Sequence, residues 1–133
     1  MFSFFKKRPN PAIAHVVDTT QFLMMTAIDE DQVSAYQSDN QKRNVIFAFA
    51  YGAIDALSQQ CNLNQEETLN ALKDFFDNFC IKSPTGNTDS LINVLCATIH
   101  HPDTLPIVTA GGRAMIDFTS TNPLAGKALA EYL

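Results

Sequence analysis

The longest uncharged apolar segment lies near the middle of the chain and predicts a buried helix. No residue between Arg43 and Asp55 is charged, and the positions from Val45 to Ile54 are almost all apolar. On a helix, with successive residues about 100° apart, these side chains cover more than half of the circumference. A helix this apolar needs neighbours on several sides, and the segment is too short to span a bilayer. We therefore expect residues of about 43–61 to form the central helix of a small bundle.

The polar residues of this helix fall on one narrow strip. The strip consists of Asn44, Ala48, Tyr51, Asp55, Ser58 and Gln59. An aspartate on an otherwise apolar helix can serve as an acid or base when its pKa is raised, so Asp55 is a candidate catalytic residue, with Tyr51 and Ser58 one turn to either side. Because the three share the polar strip, we expect them to face solvent or to bond a neighbouring backbone.

Amphipathic segments with start signals predict further helices on both sides of the central one. Asn10 and Pro11 begin a helix that runs to about Ile28, and Asn64 with Glu67 forms a capping box that begins the most amphipathic helix of the chain. Other starts are expected at Asp29, with Gln32 completing a capping box, at Thr88 or Asp89, at Leu105 and at Pro123. The buried face of the helix after Thr88 is expected to include Leu91, Ile92, Val94, Leu95, Cys96 and Ile99.

The overall pattern predicts an all-α fold. No segment alternates between apolar and polar residues with a period of two, so we expect little or no sheet. The length of 133 residues fits one domain. We expect a single-domain helical bundle, residues 1–133, with five to seven helices around the central one and with residues 1–10 as an N-terminal arm.

Gly111 lies in the middle of the apolar face of the helix predicted from Leu105 to about Phe118. A glycine inside a helix costs about 1 kcal/mol relative to alanine. The close approach of a neighbouring helix would offset that cost, so we expect Gly111 to be a point of contact between two backbones.

The charge of the chain is unevenly distributed. The formal net charge is -5, three of the nine basic residues lie in the first eight positions, and all 14 acidic residues follow them. Affinity for nucleic acid comes mainly from neutralising phosphates, so an acidic body with no basic stripe argues against a nucleic-acid partner.

The N-terminal arm combines three phenylalanines with three cations and is the main interaction candidate. The interaction candidates are Phe2, Phe4, Phe5, Lys6, Lys7 and Arg8 in the arm and Phe22, an apolar misfit on the polar side of its helix. The phenylalanines could dock on the bundle, bind a protein partner, or anchor the chain at a membrane surface while the cations contact lipid phosphates. We expect docking on the bundle. The order of the apolar and basic residues is not that of a secretory signal, and we expect a cytoplasmic protein without a transmembrane segment.

His100, His101 and Asp103 are the nearest approach to a metal site. Adjacent histidines on a helix point about 100° apart, whereas zinc-binding helices space them by four. We expect the pair to end a helix, where imidazoles favour the carbonyl end of the dipole. Cys61, Cys80 and Cys96 are widely spaced and lie on or beside predicted apolar faces, so we expect buried, reduced thiols. No cofactor is expected.

The sequence predicts a small cytoplasmic protein-binding or adaptor module without catalytic activity, which could also associate with itself. One alternative is a small-molecule or metal-dependent enzyme that uses His100, His101, Asp103 or Asp55. The other is a peripheral membrane protein attached by its arm.

Overall fold

Every regular element that the structure describes is helical. The computed structural model describes residues 10–133, which contain six α-helices and two 3₁₀ helices. The α-helices are α1 (Pro11–Ala27), α2 (Val33–Ser38), α3 (Asn40–Gln60), α4 (Gln65–Asn78), α5 (Thr88–Thr98) and α6 (Leu105–Ser120), and the 3₁₀ helices are Glu30–Gln32 and Ala125–Tyr132. The all-α helical bundle predicted from the sequence is confirmed. None of the helices between residues 10 and 133 combines the length and the hydropathy that a membrane-spanning helix requires.

The helix predicted to be central is α3, and it contacts all five other α-helices and the C-terminal 3₁₀ helix. Its apolar side chains form the middle of the core, where Ile46, Phe49 and Ile54 are fully buried. The polar strip is narrower than predicted, because Ala48 and Ser58 are also buried. Neighbours on this many sides leave only part of the expected strip in contact with solvent.

Helices α3 and α6 run in the same direction. Residues 41–48 of α3 line one groove with residues 103–107, and residues 52–60 line another with residues 108–116. An antiparallel pair would instead bring residue 60 near the start of α6, because each residue advances a helix by about 1.5 Å. The chain therefore returns through α4 and α5 to the start of α3 before α6 begins.

Two glycines bring the backbones of α3 and α6 into direct contact. A Cβ atom built on Gly111 would overlap the carbonyl of Phe49, lying 2.8 Å from its carbon, and one built on Gly52 would lie 2.7 Å from the carbonyl carbon of Val108. The contacts are reciprocal, since each glycine faces a carbonyl three residues before the other glycine. The prediction that Gly111 marks a close approach is confirmed, and Gly52 is its counterpart on α3.

Side-chain caps fix the starts of α1 and α4 and join them. The Asn10 side chain accepts from the backbone N–H of Ala12, and Asn64 and Glu67 form the predicted capping box. The Asn10 side-chain amide also donates to the Glu67 carboxylate at 2.6 Å. The two helices thus begin side by side, and because their C-terminal ends line a common groove, they run in parallel.

Three predicted local features differ in the structure. Asp29 forms no capping box, because its own carbonyl already accepts from the N–H of Gln32 in a 3₁₀ turn. The cap of α5 is Asn87, one residue before the predicted candidates Thr88 and Asp89, so the helix begins at Thr88. The Asn87 side chain accepts from the backbone N–H of Ser90. The segment after Pro123 forms a 3₁₀ helix.

The buried face of α5 is also narrower than predicted. Only Ile92 and Leu95 are buried, whereas Val94 and Cys96 are exposed. The reason is that α5 packs mainly against α4 and α3, which lie on one side of it.

Replacing Gly111 with alanine is expected to lower the free energy of unfolding by about 2 kcal/mol, because overpacking typically costs about 1–3 kcal/mol and a backbone carbonyl cannot move aside cheaply. Gly111→Leu should cost more. Gly112→Ala is the matched control, since its added Cβ would lie 3.5 Å from that of Ala56, in ordinary contact, and 3.4 Å from the carbonyl oxygen of Gly52. Urea denaturation of the three variants measures the difference. A Gly111→Ala protein as stable as the parent would show that the backbones do not meet here.

Candidate binding groove

Phe22, the interaction candidate on α1, is 60% exposed and lies beside a second exposed apolar residue, Met25, which is 70% exposed. Residues three apart on a helix are surface neighbours, so the two side chains form one apolar surface. The six candidates in the arm, Phe2, Phe4, Phe5, Lys6, Lys7 and Arg8, lie outside the described residues.

Met25 forms one wall of a groove of about 460 Å³ between the C-terminal ends of α1 and α4. The groove is lined by Gln21, Met24, Met25, Ile28, Asp29, Glu30, Val33, Asn78, Phe79 and Cys80. Its floor is apolar, because the lining residues Met24, Ile28 and Phe79 are buried in the core. The groove therefore offers an apolar floor continuous with the core and an exposed methionine at its edge.

Aromatic packing connects the floor of the groove to the core. The Phe79 ring lies 4.8 Å from that of Phe75 and 6.5 Å from that of Phe76, measured between ring centroids. The Phe76 ring in turn meets Phe47 of α3 edge to face at 5.8 Å, a preferred geometry for aromatic pairs. This chain of rings connects the groove to the central helix.

The electrostatic character of the groove is acidic. Asp29 and Glu30 lie on its rim, and no lysine or arginine is among its lining residues. The last turn of α1 also carries no basic residue, so the negative end of its dipole is not offset from within the helix. Lys82, on the loop after α4, donates to the backbone carbonyl of Asp77 at 2.8 Å. A cationic group from outside would be attracted here.

Cys80 lines this groove and is exposed, contrary to the prediction that the cysteines are buried. Partial burial raises the pKa of its thiol, although backbone hydrogen bonds and the charge of Lys82 lower it in part. The thiol therefore stays protonated near neutral pH and acts as a small apolar surface. Cys61, which is half-buried, and Cys96 are also free thiols.

The candidate metal ligands His100, His101 and Asp103 do not form a metal-binding cluster. Nδ1 of His101 accepts from the backbone N–H of Asp103 at 3.1 Å, so its lone pair is occupied within the loop. The carboxylate of Asp103 is 3.7 Å from the same nitrogen and almost fully exposed. Within residues 10–133, no three His, Cys, Asp or Glu side chains lie close enough together to hold a metal ion. The two histidines follow the end of α5 at Thr98, as predicted. The His101 imidazole, however, bonds the backbone of the loop that follows and not a carbonyl of the helix.

The trio Tyr51, Asp55 and Ser58 is not assembled into a reactive site. The Asp55 carboxylate accepts from the Gln59 amide at 3.0 Å, and the hydroxyl of Ser58 is buried without a partner among the described residues. The Tyr51 hydroxyl lies 3.8 Å from the sulfur of Cys96 on α5. Burial, followed by the effects of Cys96 and of the Asp55 charge, raises the pKa of Tyr51. No hydrogen bond among the described residues joins Tyr51, Asp55 and Ser58 to one another.

Two further cavities differ from the groove in character. One, of about 380 Å³, lies between α6 and the C-terminal 3₁₀ helix and is lined in part by Arg113 and Asp117, with no ion pair between these two residues. The other, of about 430 Å³, lies where α3, α5 and α6 meet and has Val94, 60% exposed, on its edge. Val94 is thus a matched apolar surface position away from the groove.

The apolar stripe of α1 does not include Met25, so the sequence pattern that predicts the helix does not single this residue out. The available signal was its spacing: Met25 lies three residues after Phe22, on the side of the helix opposite that stripe. The groove itself could not be identified from α1 alone, because three of its ten lining residues, Asn78, Phe79 and Cys80, come from the end of α4 and the residues after it.

The chain matches no protein-family model, no curated protein sequence and no solved structure. Its function is therefore inferred from the geometry of the described residues.

Stability is expected to fall with rising pH above about pH 10, the ordinary tyrosine pKa, and to fall less in Tyr51→Phe. Because the pKa of Tyr51 is raised in the folded protein, the unfolded chain loses the phenolic proton at a lower pH than the folded chain does. The stabilisation that the protonated Tyr51 provides below about pH 10 is therefore lost as the pH rises toward the folded pKa. Urea denaturation between about pH 9 and pH 11 measures the difference, with Tyr132→Phe as control. Parallel pH profiles for the parent and Tyr51→Phe would contradict the assignment.

Proposed function

We propose that this protein is a small protein-binding or adaptor module of the cytoplasm, without catalytic activity, and that the groove between α1 and α4 is its binding site. One observation carries the proposal: Phe22 and Met25 are 60% and 70% exposed beside an apolar-floored groove. Contiguous exposed apolar surface on a soluble protein commonly marks an interaction site.

The chemistry of the groove suits a protein segment. Methionine side chains are flexible and polarisable, and they adapt to apolar partners of different shapes; Met24 and Met25 both line the groove. Exposed Phe22 extends the apolar surface beyond it along α1. A partner that places an apolar side chain on the floor and a polar chain along the rim would cover all of these groups.

The acidic rim favours a protein partner over an anionic surface. Asp29 and Glu30 would repel the phosphates of nucleic acid and of anionic lipid, both of which are bound through positive charge. The same rim would attract lysine or arginine side chains. The three free thiols support placement in the cytoplasm, where cysteines are kept reduced.

Replacing Met25 with lysine is expected to abolish capture of a specific partner from an extract of the source organism without loss of fold. The lysine removes apolar contact from the groove and adds a cation to the last turn of α1, where cations are favourable by about 0.3–1 kcal/mol. The melting temperature should therefore stay the same or rise slightly.

Val94→Lys is the control, because Val94 is equally apolar and 60% exposed on another helix. Mass spectrometry of proteins retained by parent, Met25→Lys and Val94→Lys compares the three. If Met25→Lys retains every partner of the parent, or if Val94→Lys loses the same ones, the groove is not the binding site.

A further inference from the structure

We propose that the groove between α1 and α4 binds residues Met1–Arg8 of the N-terminal arm of a second copy of this chain. The proposal rests on the function proposed above, because it names the partner of that same groove. It combines the chemistry of the groove with the composition of the arm and with the distance between them.

The composition of the arm complements that of the groove. The arm contains three phenylalanines and, directly after them, three cations. The groove has an apolar floor that includes Met24 and Phe79, and an acidic rim of Asp29 and Glu30 with no lysine or arginine among its lining residues. Methionine sulfur makes favourable contacts with aromatic rings, and adjacent rings pack well together. The acidic rim would pair with the basic half of the arm.

The backbone adds to this attraction. Helix α1 ends at the groove without a basic residue in its last turn, and the carbonyl end of a helix carries partial negative charge, whereas Lys82 already donates to a carbonyl at the end of α4. Asp29 makes no cap hydrogen bond with its side chain, so its carboxylate is available to a cation. The end of α1 at the groove is thus a place where a basic segment is favoured.

The three cations of the arm cannot reach the acidic rim of the groove in their own chain. Helix α1 has 17 residues and is therefore about 25 Å long, and Asp29 lies beyond its C-terminal end, whereas the arm precedes its N-terminal end. From Asn10 back to Lys6 the chain spans at most about 14 Å even when fully extended. None of the three cations can reach the rim of its own groove, so the arm that binds there must come from another copy.

A reciprocal exchange of arms would bury enough surface for a stable dimer. Each phenylalanine can bury about 150–250 Å², so two arms of three phenylalanines contribute roughly 1,200 Å² before the groove is counted, above the roughly 1,000 Å² expected of a biological interface. Exchange of an identical segment between two copies is a common route to symmetric dimers.

Mixing two full-length variants tests the proposal. The groove variant, Met25→Lys, keeps its arm, and the arm variant, with Phe2, Phe4 and Phe5 all replaced by serine, keeps its groove. Analytical ultracentrifugation should find the parent dimeric and each variant alone monomeric. An equimolar mixture should form a one-to-one dimer, because one intact arm then meets one intact groove. Its dissociation constant should be at least tenfold weaker than that of the parent, since one of two contacts remains. Val94→Lys should remain dimeric.

Other results would overturn the proposal and identify what takes its place. A parent that stays monomeric, or a mixture that fails to associate, excludes exchange between copies. If Met25→Lys still loses a captured partner, the groove binds a different protein, and the proposed function survives the failure of this inference. If the arm variant instead melts at a lower temperature as a monomer, the arm docks on its own bundle. If parent but not arm variant sediments with anionic phosphatidylserine vesicles and neither dimerises, the arm binds membrane.

Discussion

The contact between the backbones of α3 and α6 is the constraint on which the rest of the structure depends. Gly52 and Gly111 each lie against a carbonyl of the other helix. Glycines at such a contact permit weak Cα–H···O bonds and allow dispersion contacts over the whole length of the pair. Each glycine costs about 1 kcal/mol of helix propensity, and the close packing offsets that cost. The two helices consequently behave as one unit against which the others pack.

The parallel direction of this pair determines where the binding groove can form. Because α3 and α6 run in the same direction, the chain must return between them, and α4 and α5 make that return. Helix α4 packs beside α1, and the bond from Asn10 to Glu67 joins their starts. Their C-terminal ends therefore come together, and the chain leaves both helices there. The space left between the two departing segments is the groove, with Phe79 on its floor and Met25 at its edge.

The sequence predicted those features that depend on local pattern. The central helix follows from its uncharged apolar segment, the caps at Asn10 and Asn64 follow from their side chains, and the contact at Gly111 follows from a glycine on an apolar face. Features that depend on how many neighbours a helix has were not predictable. Ser58 is buried because neighbouring helices cover a larger part of the circumference of α3 than its polar strip suggested. Val94 is exposed because neighbouring helices cover only one side of α5. Of the candidate site, the sequence predicted Phe22, an apolar residue on the polar side of its helix. It did not predict the groove beside Phe22, because the groove forms only where the C-terminal ends of α1 and α4 lie side by side.

An engineered disulfide between α3 and α6 tests the parallel pairing most directly. A Cβ at Gly112 would lie 3.5 Å from that of Ala56, within the range of about 3.5–4.5 Å found in disulfides. In a chain whose three native cysteines are replaced by serine, Ala56→Cys with Gly112→Cys should form an intramolecular bond on oxidation, detected by peptide mapping, and should raise the melting temperature. Ala56→Cys with Thr104→Cys, a pair that only antiparallel helices would bring together, should stay reduced. A bond in the second pair, or none in the first, would contradict this account.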